Sequence, residues 1–196
     1  MVWLIIVTGR PAAGKSTMAA WLGQKLGIPV IGKDPLKEIL FAELGWRDRE
    51  WSKMMGRASV ELLYYLARTM LASGVSLLIE NAFHPELASP SLRIITQETK
   101  AVTLQIICQA DNEVLFQRFQ QRNASGLRHV GHVDAQSLDE LRVTLAQDRP
   151  LRLDLDGPVI EVDTTDFTTV RYEAIWEQVK AIMNEVERGS TGEDGT

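Results

Sequence analysis

Apolar and polar positions switch between two periods along the chain. Residues 2–8 form a continuous apolar run rich in β-branched side chains, the pattern of a strand buried on both faces. Residues 15–26 read as a helix that stops near Gly27, and residues 28–31 as a short second strand. Asp34 is placed to cap the next helix, with Pro35 in its first turn and an end near Gly45. A long helix is predicted over 48–73, with Gly74 as its stop. A third strand spans 75–79 and runs into Glu80, and residues 85–100 hold a loop and a helix with Pro90 near the helix start. Residues 102–108 are the fourth strand, 111–122 a helix capped by Asp111, and 134–147 another helix. Residues 159–162 are the fifth strand and 167–188 the last helix. Strands alternating with helices predict an α/β fold with a mainly parallel sheet.

Composition refines this picture. The 196 residues are 45% hydrophobic and 24% charged, which describes one folded domain rather than a disordered chain. Cys108 stands alone, excluding an internal disulfide framework and a Cys-based zinc site. The N-terminal apolar run lacks a basic n-region and leads into a glycine loop, so it reads as a strand and not a signal peptide. No run approaches the ~18 apolar residues of a membrane span. The expected location is the cytoplasm. The formal charge of -5 disfavours a large nucleic-acid footprint and leaves room for a local basic cleft.

The strongest chemical signal is G-R-P-A-A-G-K-S-T: Gly9, Arg10, Pro11, Ala12, Ala13, Gly14, Lys15, Ser16 and Thr17. It matches G-x-x-x-x-G-K-[ST] between a buried strand and a helix, the context of a phosphate loop. Gly9 and Gly14 allow backbone geometry that turns successive N–H groups toward phosphate oxygens, and the helix N-terminus adds partial positive charge. Lys15 can reach the β- and γ-phosphates, and the Ser16 hydroxyl can ligate Mg²⁺. Thr17 follows, near the α-phosphate.

With these residues the sequence resembles the P-loop NTPases, and among them the small nucleoside-monophosphate-kinase-like group. That group includes adenylate, gluconate and shikimate kinases, chloramphenicol phosphotransferase, polynucleotide kinase and zeta-toxin-like kinases, and small AAA-type ATP-binding proteins look similar. The resemblance spans residues 1–187 in layout and implies a three-layer fold with a five-stranded parallel sheet of order 2-3-1-4-5. It also implies a small lid at about 123–133; residues 188–196, at the terminus, are expected to form a mobile tail. No N-K-x-D guanine motif occurs, and D-x-x-G occurs only at residues 154–157, ahead of the last strand. A compact phosphotransferase is therefore favoured over a GTPase.

The resemblance assigns further roles. Kinases of this group place an Asp after strand two as the base for the attacking hydroxyl, the place of Asp34. Lys37, one turn on, stands where polynucleotide kinase and relatives have arginine. Lysine cannot clamp a phosphate bidentately. Glu80 holds the Walker B position, suited to Mg²⁺ directly, through water, or to a nucleophile. Asn81 and His84 follow at the sheet edge, where ligands bind in such folds. Arg118 and Arg122 share a helix face. By resemblance Arg118 stacks on the base, while Arg122 and Arg128 approach the phosphates. His129 and His132, at i, i+3 in a glycine-containing loop with no cysteine nearby, are weak evidence of a metal site and fit contacts to phosphate or acceptor on lid closure. Thr164 and Thr165, after strand five, lie toward the adenine. Arg57, on the long helix with Trp51, Met54, Met55, Tyr64 and Tyr65, faces the acceptor region.

The expected protein is a kinase using ATP and Mg²⁺ on a hydroxyl of a small molecule. The alternatives are a polynucleotide 5′-hydroxyl kinase and a nucleotide-dependent ATPase or switch that binds a partner protein.

Overall fold

A computed structural model describes residues 1–126, 128–133, 137–147 and 149–191. Five parallel strands stand in the order β2-β3-β1-β4-β5: β1 (Trp3–Gly9), β2 (Val30–Gly32), β3 (Leu77–Glu80), β4 (Val102–Gln109) and β5 (Val159–Asp163). The helices are α1 (Lys15–Leu26), α2 (Lys33–Leu44), α3 (Arg49–Ala72), α4 (Pro85–Thr99), α5 (Asn112–Ala124), α6 (Leu138–Ala146) and α7 (Tyr172–Thr191). The strand order 2-3-1-4-5 is the one expected from the sequence.

The continuous apolar run of β1 is explained by two cores. Trp3, Ile5 and Val7 pack with Met18 and Leu22 of α1, Leu115 and Phe116 of α5 and Val179 of α7. Leu4 and Ile6 point the other way, onto Leu63, Ala67 and Leu71 of α3 and Leu92 and Ile95 of α4. Because side chains alternate along a strand, one run feeds both layers. Glu80 pairs in register with Val7 on one side and Gly32 on the other. The ends of β1, β2 and β3 therefore meet at one edge, bringing the phosphate loop, Glu80 and the start of α2 together.

Several boundaries differ from the periodicity. The β2 strand starts at Val30 because Gly27 is left-handed (φ 66°) and the Ile28 N–H turns back to the Gly23 carbonyl at 3.2 Å, closing α1. The α2 helix begins at Lys33 with Gly32 as its cap. Asp34 is thus inside the first turn, and its carboxylate is drawn to side chains instead of capping the backbone. Asp48 does cap α3, accepting from the Trp51 N–H at 2.9 Å. The α4 helix starts directly at Pro85 and carries Pro90 inside it, on an exposed position. Asp111 precedes α5 without a side-chain cap bond. The last helix starts at Tyr172, because Asp166 caps a separate 3₁₀ turn, Phe167–Thr169. Residues 189–191, expected in a mobile tail, continue α7. Asp134 and residues 192–196 lie outside the described residues.

One close approach fixes the phosphate loop. Gly9 (φ 143°) lies where a Cβ would fall onto the Cys108 carbonyl oxygen in the paired strand β4. Gly9→Ala should lower stability by at least ~2 kcal/mol through overpacking and an unfavourable φ, measured by urea unfolding.

Candidate functional site

The loop between β1 and α1 turns through three positive φ values: Gly9 (143°), Ala12 (65°) and Gly14 (76°). Ala12 is the member that the glycine pattern does not announce, since its left-handed turn costs a non-glycine residue about 1–2 kcal/mol. Gly14 caps α1 with no side-chain bond, so the first N–H groups of the helix stay available to an anion. The Lys15 Nζ donates to the Arg10 carbonyl at 2.9 Å, and its other two N–H groups have no partner among the described residues. Burial holds its pKa below the ordinary lysine value, against the raising influence of Glu80 and Asp34.

Ser16 Oγ donates to Glu80 Oε2 at 3.2 Å. Burial raises the Glu80 carboxyl above its usual range, opposed by Lys15. A hydroxyl and a carboxylate in contact are hard oxygen donors of the kind Mg²⁺ selects, and a cation there would offset the burial of Glu80. These residues fit a Mg²⁺ ion.

Asp34 is the centre of a second cluster of charges in the same region. Lys33 Nζ donates to Oδ1 at 2.8 Å and Arg128 Nη2 to Oδ2 at 2.6 Å. Burial opposes its charge, but Lys33 and Arg128 outweigh burial and keep the carboxyl ionised well below its usual range. Arg128 also contacts His132 Nδ1 at 2.8 Å, and His132 Nε2 meets Glu38 at 2.9 Å. Arg128 has no acceptor capacity, so Nδ1 accepts and the imidazole is the neutral Nε2–H tautomer, donating to Glu38. Burial, then repulsion from Arg128, lowers the His132 pKa to about 3. Ser52 of α3 completes the junction: Lys37 Nζ donates to its Oγ at 2.8 Å, and that Oγ donates to the His132 carbonyl at 3.2 Å. Burial, then Lys33, lowers the Lys37 pKa to about 8.

Residues 128–133 therefore rest on α2 and α3. His129 stacks on Phe41 with ring centroids 5.3 Å apart, and Gly131 packs where a Cβ would come within 2.8 Å of that ring. Farther along the cleft, Arg49 of α3 bonds Glu140 of α6 at 2.5 Å.

A cavity of about 260 Å³ collects Pro11, Ala12, Lys15, Ser16, Asp34, Lys37, Glu80, Asn81, Arg122, Arg128 and His132 from the sequence-derived set. Lys33, beside Asp34, joins them, and Arg49, Phe119, Ser137, Glu140, Leu141 and Thr144, which no motif marks, complete the lining with Ala82. Glu38 and Ser52 are further omissions; their signal is only the i, i+4 spacing from Asp34 and a small polar residue on a buried helix face.

Other candidates stand elsewhere. The Arg10 guanidinium turns away to the Leu145 and Gln147 carbonyls and Asn112, at 2.7–2.8 Å. Gly9 and Ala13 are buried in the loop, and Thr17 is exposed. Thr164 is buried and donates to the Ala13 and Gln109 carbonyls at 3.1 and 2.8 Å, tying the β5 end to the phosphate loop. Arg118 donates to the Thr164 and Thr165 carbonyls at 2.7 and 2.9 Å and lies 3.7 Å over the Phe167 ring. Its stacking partner here is a side chain that sequence reading left unmarked. Arg57 and His84 line a second, adjoining cleft, and the Arg149 guanidinium lies against the His84 imidazole.

The strand order, the phosphate loop at the end of β1 and the acid at the end of β3 define a P-loop nucleotide-binding fold of the kinase-like group. Residues 4–147 match the AAA domain family, and the chain belongs to it. A "putative kinase" from Chloroflexus aurantiacus j-10-fl is 38% identical in its crystal structure, with a TM-score of 0.86 over 92% of this chain and 98% of that one. A gluconokinase from Sinorhizobium meliloti 1021 is 16% identical, with a TM-score of 0.53 over 95% of this chain and 97% of its own. A sugar kinase from Janibacter sp. HTCC2649 gives the same two values over 94% and 95%. At that identity the last two share the fold alone. No curated protein matches the chain. Among the described residues no helix is long and apolar enough to cross a membrane.

The His132 assignment has a pH signature. The unfolded chain takes up a proton on this imidazole below about 6.5, while the folded chain resists until about pH 3. The folded state thus loses stability as pH falls across that window. Ring resonances of His132 should stay in the neutral Nε2–H form from pH 8 down to about pH 5 by NMR. Titration near 6.5 in the folded protein would contradict the junction.

Proposed function

We propose that this protein is a kinase that uses ATP and Mg²⁺ to phosphorylate a hydroxyl of a small molecule. The observation that carries this reading is the charge of the cavity. Among the described residues, six cationic side chains line it against three carboxylates, in a chain that is acidic as a whole. Such a surplus beside a phosphate loop suits a polyphosphate. The kinase names of the similar proteins support the same class.

In this reading Lys15 and the loop amides hold the β- and γ-phosphates, and Ser16 and Glu80 hold the metal. When bound, Mg²⁺ neutralises charge on the transferring phosphoryl group. Asp34 accepts the proton of the acceptor hydroxyl as that oxygen bonds to the γ-phosphorus. The bond from the γ-phosphorus to the bridging oxygen breaks, and ADP leaves with the electron pair. Arg122 and Arg128 stabilise the charge that develops on the phosphoryl oxygens. The strong ion pairs of Asp34 keep it ionised, and release from Arg128 makes it a better proton acceptor. Residues 1–187 act as one catalytic unit, with 123–133 as its lid, and Arg118 with the loop around Thr164 and Phe167 borders the base. His129 braces the lid, while Asn81 and His84 lie along the acceptor's path.

Asp34→Asn should lower phosphoryl transfer to an acceptor about 10²–10⁴-fold while nucleotide affinity changes little. Lys15→Ala should abolish both transfer and tight ATP binding, and chelation of Mg²⁺ should stop turnover. Transfer measured with labelled ATP across a panel of alcohols checks all three. Full ATP turnover by Asp34→Asn with no phosphorylated alcohol would instead favour an ATPase switch.

A further inference from the structure

A second cleft, of about 770 Å³, opens from the nucleotide-side cavity between α3 and α4. The two share Lys33, Lys37, Asn81 and Ala82, so a molecule lying in the cleft reaches the Asp34 side through a common mouth. Val60, Tyr64, Phe83 and Leu87 give it an apolar wall. Its charged lining is mostly cationic. Lys33, Lys37, Lys53 and Arg57 face one carboxylate, Glu61, among the described residues.

Two of those cations are already neutralised: Lys33 by Asp34 at 2.8 Å and Lys53 by Glu50 at 3.0 Å. Lys37 and Arg57 are not. Lys37 is only 5% exposed, yet its partner is the Ser52 hydroxyl and it forms no ion pair among the described residues. Arg57 has neither a hydrogen bond nor an ion pair there. An ammonium without a counter-ion is costly to bury. Gly56 lines the cleft beside it, where a Cβ would sit in ordinary contact with Lys37 Nζ at 3.8 Å.

We infer that the acceptor is an anionic alcohol with an apolar body, its carboxylate or phosphate held by Lys37 and Arg57 in the α3–α4 cleft. This rests on the kinase reading for the word acceptor; the anion site itself stands on the cleft. The anion supplies the missing counter-charge, the apolar wall takes the hydrocarbon part, and the hydroxyl points through the shared mouth toward Asp34.

The test titrates hexanoate, hexyl phosphate and hexanol into the whole protein with Mg²⁺ and ADP in excess, so that the phosphate loop is filled. Binding is read from amide shifts of α3. At least one anion should bind about 10-fold or more tightly than hexanol, and the tighter anion identifies the natural group. Arg57→Ala, an exposed change that leaves α3 intact, should weaken the anion about 10-fold and leave hexanol unchanged. Arg57→Lys should restore part of the loss. Hexanol binding as tightly as both anions, or anion binding unmoved by Arg57→Ala, overturns the proposal. In turnover, hydroxy acids or phosphorylated alcohols should accept phosphate in preference to their uncharged esters. Anion binding as expected with no phosphorylation of any alcohol would overturn the acceptor role and the kinase reading, leaving only an anion site.

Discussion

Charge buried at one sheet edge is the constraint on which the rest of this structure depends. Lys15, Glu80 and Lys37 are each less than a tenth exposed, and Asp34 lies between cations on both sides. Charges in such a place must be paired or must wait for a ligand. The three strand ends that meet at Glu80 set how closely these groups crowd, because parallel register allows no slack between Val7, Gly32 and Glu80. Local pairing covers Asp34 and partly covers Glu80. It leaves a cationic surplus that a polyphosphate would balance.

The same accounting explains the segment that carries Arg128 and His132. Arg128 does not hang over an open cleft; it is anchored on Asp34 and braced by a neutral His132, which is itself fixed by Glu38 and by Ser52 through its backbone. Arg128 is thus coupled directly to the charge of Asp34. Any anion that competes for Arg128 frees Asp34 Oδ2 and leaves Lys33 on Oδ1, and any group that displaces His132 also disturbs Ser52 and Lys37. Asp34 and Lys37 are joined through one short chain of polar contacts that runs by Arg128, His132 and Ser52.

Much of the frame was legible in the sequence. The unbroken apolar run of β1 announced a doubly buried strand, and the phosphate loop announced its own chemistry. Helix starts were less legible, because Gly32 and Asp34 are both acceptable caps and only the tertiary pull of Lys33 and Arg128 decides between them. Long-range partners were illegible for the same reason. Nothing local says that Glu38 will meet His132, 94 residues away, or that Arg118 will find Phe167. The Arg10 side chain shows the converse: a motif position specifies backbone, while its side chain answers to α5 and α6. Gly56 carried a signal that spacing could not weigh, since its place beside Lys37 is set by the fold.

The most direct test is a crystal structure of the protein with Mg²⁺ and a non-hydrolysable ATP analogue. The expected result has the β- and γ-phosphates on Lys15 and the loop amides, the metal at Ser16 and Glu80, and the Asp34 carboxylate facing the γ-phosphate. A phosphate chain bound away from Lys15, or an Asp34 still locked to Arg128 and turned from the γ-phosphate, would contradict the account.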